Sequence, residues 1–120
     1  MALPNIKGLT TKKCQPCGQG GAPFSLAQAR EYAFQMPGWV LAGDAKNISR
    51  QYIMKDFLAA VRFIDKIAKI AESEDHHPDL HLTGYRKLHI ELATHSIGGL
   101  SENDFILAAK IDQLPKELKK

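Results

Sequence analysis

All five histidines of this 120-residue chain fall between positions 76 and 95. His76, His77 and His95 sit at the edges of expected elements rather than within their apolar faces, and Asp104 follows at the expected start of a helix. An imidazole titrates near ~6.5 and can give or take a proton at neutral pH, and a carboxylate beside it favours the protonated ring. If the His-His-Pro joint, a strand-end histidine and a helix-start aspartate converge, the chemistry they suit is proton transfer. Read singly, each has a plainer explanation. An adjacent histidine pair in a loop is usually just solvated, and Asp104 is accounted for by helix capping and the helix dipole. His81 and His89 lie on the polar parity of expected strands, where exposure or packing accounts for them.

Other chemistries fit less well. Three histidines and an aspartate could ligate a metal, but side chains 76 and 77 diverge in extended chain and no His-x-x-x-His falls on a helix, so no metal is expected. No Ser or Cys sits in a nucleophile elbow, and neither a Walker loop nor a dinucleotide glycine fingerprint is present. Cys14 and Cys17 make half a zinc site with no second pair in the sequence. An intersubunit zinc or a redox pair is a minor alternative for them.

The elements that must position these residues follow from periodicity. Ser25 caps a short amphipathic helix from Leu26 to Met36, stopped by Pro37-Gly38. Trp39-Val40-Leu41 and Ile48 to Met54 read as strands joined by a hairpin. Phe57, Leu58, Val61, Ile64, Ile67, Ala68 and Ala71 mark a long helix to about Ser73. Phe63 and Ile70 widen its apolar face beyond one stripe, which suggests burial on two sides, as against another subunit, with two partly exposed apolar residues as the equally plain alternative. Pro78 forces His77 out of the helical region, so that helix ends at about Asp75. Leu80 and Leu82, then Leu88, Ile90 and Leu92, alternate with polar residues as two strands turning near Gly84. Ser101-Glu102-Asn103-Asp104 opens a last helix in a capping-box pattern, with Phe105, Ala108, Ala109 and Ile111 or Asp112 on successive turns. The order αββαββα implies an α+β fold: a four-stranded antiparallel sheet with three helices packed on one face.

At 44% apolar residues, a chain of this length is expected to make one core and no second folding unit. No apolar run approaches the ~18 residues that span a bilayer, and the N-terminus has no secretory h-region. A cytoplasmic protein is expected, with the nucleus also open, and no membrane partner. The punctuated residues 1–24 read as a loosely ordered lead-in with a Cys-x-x-Cys, 25–114 as the folded body, and 115–120 as a basic tail. The lead-in carries +3 and the tail +2, which leaves −2 on the body. A slightly acidic body argues against direct nucleic-acid binding.

Glu72-Ser73-Glu74-Asp75-His76-His77-Pro78-Asp79, then Tyr85, Leu88-His89-Ile90-Glu91-Leu92-Ala93-Thr94-His95 and Gly99-Leu100-Ser101-Glu102-Asn103-Asp104 resemble the pterin-4a-carbinolamine dehydratases, also called dimerization cofactors of homeodomain transcription factors. The likeness runs more weakly back through Tyr52-Ile53-Met54-Lys55-Asp56-Phe57 to Gly38-Trp39. It implies the αββαββα fold over 25–114 and a hydro-lyase reaction: loss of water from 4a-hydroxytetrahydropterin to give quinonoid dihydropterin, in tetrahydrobiopterin recycling, with no cofactor. It carries His76, His77 and His95 over as catalytic residues, and Glu72, Thr94 and Asp104 as substrate-binding ones. Leu80 stands where several members have Trp, which removes one aromatic wall from the expected pocket. The resemblance further implies a homodimer or homotetramer. The alternative reading is a non-catalytic binding module or transcriptional coactivator that docks a partner helix on the long helix, motivated by Phe63 and Ile70.

Overall fold

The computed structural model describes residues 8–14 and 22–120. Ser25 and Gln28 close a capping box at the start of α1 (Leu26–Phe34), with Ser25 N–H donating to Gln28 Oε1 at 3.0 Å and Gln28 N–H to Ser25 Oγ at 3.2 Å. The helix stops short of Met36. Pro37 bars the residue before it from helical backbone, and the last turn tightens into Gln35 N–H to Tyr32 O and Met36 N–H to Ala33 O. Next come β1 (Val40–Leu41), β2 (Ile48–Ile53), α2 (Phe57–Glu74), β3 (Asp79–Thr83), β4 (Lys87–Leu92) and α3 (Glu102–Gln113). The order is the expected αββαββα, with short 3-10 turns added at Leu9–Thr11 and His95–Ile97.

The four strands form one antiparallel sheet in the order β1-β2-β4-β3. Register settles its two faces. Tyr52 lies opposite Leu88, and Leu80 and Leu82 opposite Ile90 and Leu88, which puts the apolar side chains on one face, under the helices. Phe63 of α2 meets the Tyr52 ring edge-on at 5.3 Å. The open face carries His81 and His89 as cross-strand neighbours, with His89 Nε2 at 3.3 Å from Glu91. Arg50 is the one cation on the core-facing parity of β2. Asp112 of α3 meets it at 3.2 Å and also accepts from Trp39 Nε1 and Tyr52 OH, so the polar atoms under the sheet are paired.

Two expectations change. Phe63 does not widen an outer face: it is 1% exposed and belongs to the inward stripe Ala59, Ala60, Phe63, Ile67 and Ala71, while Ile70 is half-buried against the core. The large apolar side chains that α2 leaves in solvent are Phe57, Leu58 and Val61, on its first turns. Nor is the whole lead-in loose. Leu9 and Cys14 are buried, and the turn at 9–11 packs on α3. That cover explains why α3 buries six consecutive residues, Asn103 to Ala108, instead of one stripe. Cys17 lies outside the described residues. Among the described residues no helix is long and apolar enough to cross a membrane.

Candidate active site

The end of α2 sets the first part of the site. Asp75 takes the left-handed conformation at φ 51°, and the helix closes as a Schellman motif, with His76 N–H donating to Ala71 O at 3.2 Å and Asp75 N–H to Glu72 O at 3.3 Å. This reversal, followed by the extended backbone that Pro78 demands, sends the two neighbouring imidazoles different ways. His76 is 4% exposed and turns inward, whereas His77 remains in solvent. His77 Nε2 is 2.8 Å from Glu72 Oε1, a carboxylate one turn up the same helix. Both side chains are well exposed, so the pair orients the ring without adding much stability.

The second part comes from the β4–α3 connection. Thr94 N–H donates to Gly99 O at 2.8 Å, closing a tight loop around the turn at 95–97, with Gly98 at φ 70°. Gly99 has to be glycine for a steric reason: a Cβ there would lie 2.7 Å from Pro23. The loop delivers Ser101 as N-cap of α3 and Asp104 as the third residue of its capping box. Asp104 is fully buried. Its Oδ1 lies 2.7 Å from His76 Nε2, and its Oδ2 accepts from Thr94 Oγ1 at 2.8 Å and from Ser101 N–H at 3.0 Å. Three donors are what a carboxylate removed from water requires. Ser101 Oγ is in turn 2.7 Å from Thr94 Oγ1. A buried carboxylate held in this way fixes the orientation of the His76 ring.

His76, His77 and His95 line one cleft of about 180 Å³, together with Asp75, Ala93 and Ser96. Asp104 and Thr94 lie behind His76 and are not part of the cleft wall; Glu72 stands outside, on His77. Leu80 contributes no wall to this cleft. It is on the core-facing parity of β3, packed against the core, and does not line the cleft. Among the described residues no group of three or more His, Cys, Asp or Glu side chains is set to hold a metal ion.

Sequence reasoning missed a support below the site. Glu74, on the last turn of α2, accepts from Cys14 N–H at 3.0 Å and from Lys110 Nζ at 2.9 Å. Burial works to raise its carboxyl, but the Cys14 N–H and the Lys110 ammonium outweigh that and hold it below its ordinary value. Cys14 Sγ donates to Asn103 O at 3.6 Å, and burial, with Glu74 beside it, pushes its thiol up to about 12. Such a thiol is neither a nucleophile nor a ready metal ligand at neutral pH. The glutamate lies within the Glu72 to Asp79 motif, but no local pattern announces a partner sixty residues away.

Comparison with known proteins gives the same class. The family model for pterin 4 alpha carbinolamine dehydratase matches residues 22–114. A putative pterin-4-alpha-carbinolamine dehydratase of Halorhodospira halophila is 46% identical over 106 residues, covering 88% of this chain and 96% of its own. The mitochondrial pterin-4-alpha-carbinolamine dehydratase 2 of Arabidopsis thaliana is 45% identical over 116 residues, covering 94% of this chain and 62% of its own length. The crystal structure of a transcriptional coactivator/pterin dehydratase from Brucella melitensis superposes with a TM-score of 0.70 at 31% identity, over 75% of this chain and 95% of that one. The chain belongs to the pterin 4 alpha carbinolamine dehydratase family, a family of hydro-lyases.

Proposed function

We propose that this protein dehydrates 4a-hydroxytetrahydropterin to quinonoid dihydropterin by histidine general acid–base catalysis. The observation that carries the reading is the convergence of His76, His77 and His95 on one cleft, with His76 anchored on Asp104. Hydroxide leaves C4a poorly until it is protonated, and the C4a–N5 double bond forms as the N5 proton departs. One acid and one base therefore suffice, and water is the only other product. His77, oriented by Glu72 and open to solvent, is the principal acid/base group. His95, across the cleft, assists the departing hydroxyl, and His76 positions the ring system. Asp104 and Thr94 act through His76 rather than on the pterin. Glu72 borders the pterin from the rim. A cleft of about 180 Å³ is small beside ordinary ligand pockets of ~300–1,000 Å³, so it grips the reacting ring and leaves the side chain outside.

The pathway reading follows from the product: a quinonoid dihydropterin is what a reductase would return to the tetrahydro form, so the reaction serves cofactor recycling. The expected homo-oligomer would cover the apolar first turns of α2, at Phe57, Leu58 and Val61, which face solvent in the single chain. Docking of a partner helix would compete for the same turns, since Phe63 is buried and unavailable. The test of the reaction is direct. Freshly generated 4a-hydroxytetrahydropterin is mixed with the protein and quinonoid product is followed by absorbance. Acceleration over the spontaneous rate is expected, and its absence would overturn the proposal.

A further inference from the structure

We infer a second binding site, for a small soluble anion bearing two or more phosphates, where residues 115–120 fold back over the end of β2. A cavity of about 710 Å³ opens there, lined by Lys55, Arg86, Lys116, Lys119 and Lys120 together with Glu117 and Leu118. Its volume lies within the usual ~300–1,000 Å³ of small-molecule sites. The walls are fixed by backbone pairing rather than by loose side chains. Lys55 N–H donates to Glu117 O at 2.9 Å, Lys119 N–H to Ile53 O at 2.9 Å, and Met54 and Leu118 form a β-bridge. The tail is thus an added strand segment at the mouth of the cavity.

The charge within it is unbalanced. Glu117 is its single carboxylate side chain, and Arg62 engages it from outside the cavity. Among the described residues no ion pair holds Lys55, Lys119 or Lys120. Arg86 donates to the Lys55 carbonyl and lies 5.2 Å over the Tyr85 ring, yet its Nε is buried without a partner. That Nε is closed to solvent, so a ligand in the cavity would meet the terminal nitrogens of the guanidinium instead. Lys116 contributes less, because its ammonium donates to Asp112 O at 2.7 Å and lies over the Tyr52 and Phe63 rings at 5.4 and 5.3 Å. A guanidinium fork and several ammonium groups spread over one recess suit phosphate oxygens, and more than one phosphate is needed to meet them all. Because the cations line a hollow rather than a flat face, the fitting source is a soluble ligand, not a lipid headgroup in a bilayer. The cavity and the histidine cleft share no residue, and they lie at the two ends of α2, which at 1.5 Å per residue are roughly 27 Å apart.

The experiment is calorimetric titration of the full chain with inorganic tripolyphosphate at ~0.15 M salt, where loosely attracted counterions are screened. One saturable site is expected, weakened at least about tenfold by Arg86→Gln and by the pair Lys119→Gln and Lys120→Gln, the latter two being surface changes that leave the core intact. The dehydration rate of these variants should stay unchanged. Absence of saturable binding, or equal binding by the variants, would overturn the site. So would binding to phosphatidylserine-containing vesicles without binding to tripolyphosphate.

Discussion

At the residue scale, two neighbours with the same side chain have different surroundings, and the cause is one backbone torsion. Asp75 at φ 51° ends α2 and rotates the chain so that His76 enters the protein and His77 does not. A non-glycine residue pays roughly 1 kcal/mol for that conformation. Asp75→Gly is therefore expected to stabilise the protein by up to about 1 kcal/mol in urea unfolding. A loss of stability would show that the left-handed turn is not the strained point. Asp104→Asn tests the ring behind the cleft. An amide in that place cannot accept from His76 Nε2–H, Thr94 Oγ1 and Ser101 N–H as a carboxylate does. The dehydration rate is expected to fall about 10²-fold while circular dichroism still reports a folded chain. An unchanged rate would remove Asp104 from the account.

At the element scale, capping and period are legible in the sequence itself. Ser25, the capping box of Ser101 and Asp104, and the stop before Pro78 are local signals, and the elements begin and end within a few residues of them. The alternation in β3 and β4 gave the register parity of the sheet, because side chains two apart must share a face. What was not legible came from distant cover. Ile106 and Leu107 fall off the single stripe assigned to α3, and they are buried because the turn at 9–11 packs on that helix, a contact that no window of sequence contains. Phe63 lies inside rather than on an outer edge for the related reason that an apolar stripe shows its width but not which edge meets solvent. The candidate site divides in the same way: the histidines and Asp104 are marked by motif spacing, whereas the Glu74, Cys14 and Lys110 cluster is made only by folding.

That cluster gives two expectations. With Cys17→Ser as background, iodoacetamide at pH 8 should label Cys14 only after denaturant is added, since its thiol is buried and raised to about 12; labelling of the native chain would contradict the packing. Glu74, held below its ordinary 4.5 in the folded state, adds stability above that pH and loses it as pH falls through its lowered folded value. The stability gap between the parent and Glu74→Gln should be about 2 kcal/mol at pH 7 and should close in acid. A gap constant across the acid range would show that Glu74 acts by packing alone.

At the scale of the whole molecule, the described helices clothe one face of the sheet, and the proposed chemistry sits at one end of it. β4 leads into Thr94, α2 ends at His76, and α3 begins under both, so three elements that are distant in sequence share one corner. The same architecture separates the charge. The lysines of residues 115–120 gather at the opposite end of α2, and the basic character of the chain belongs to that end and to the lead-in rather than to the cleft. The proposed reaction is acceleration of water loss from the pterin carbinolamine by the three cleft histidines. It is tested most directly by the rate of quinonoid dihydropterin formation from freshly generated substrate with the parent and with His76→Ala, His77→Ala and His95→Ala, each shown to unfold cooperatively. Acceleration by the parent is expected, with a fall of about 10²-fold or more for His77→Ala and smaller losses for the other two. A folded His77→Ala variant that matches the parent would contradict it.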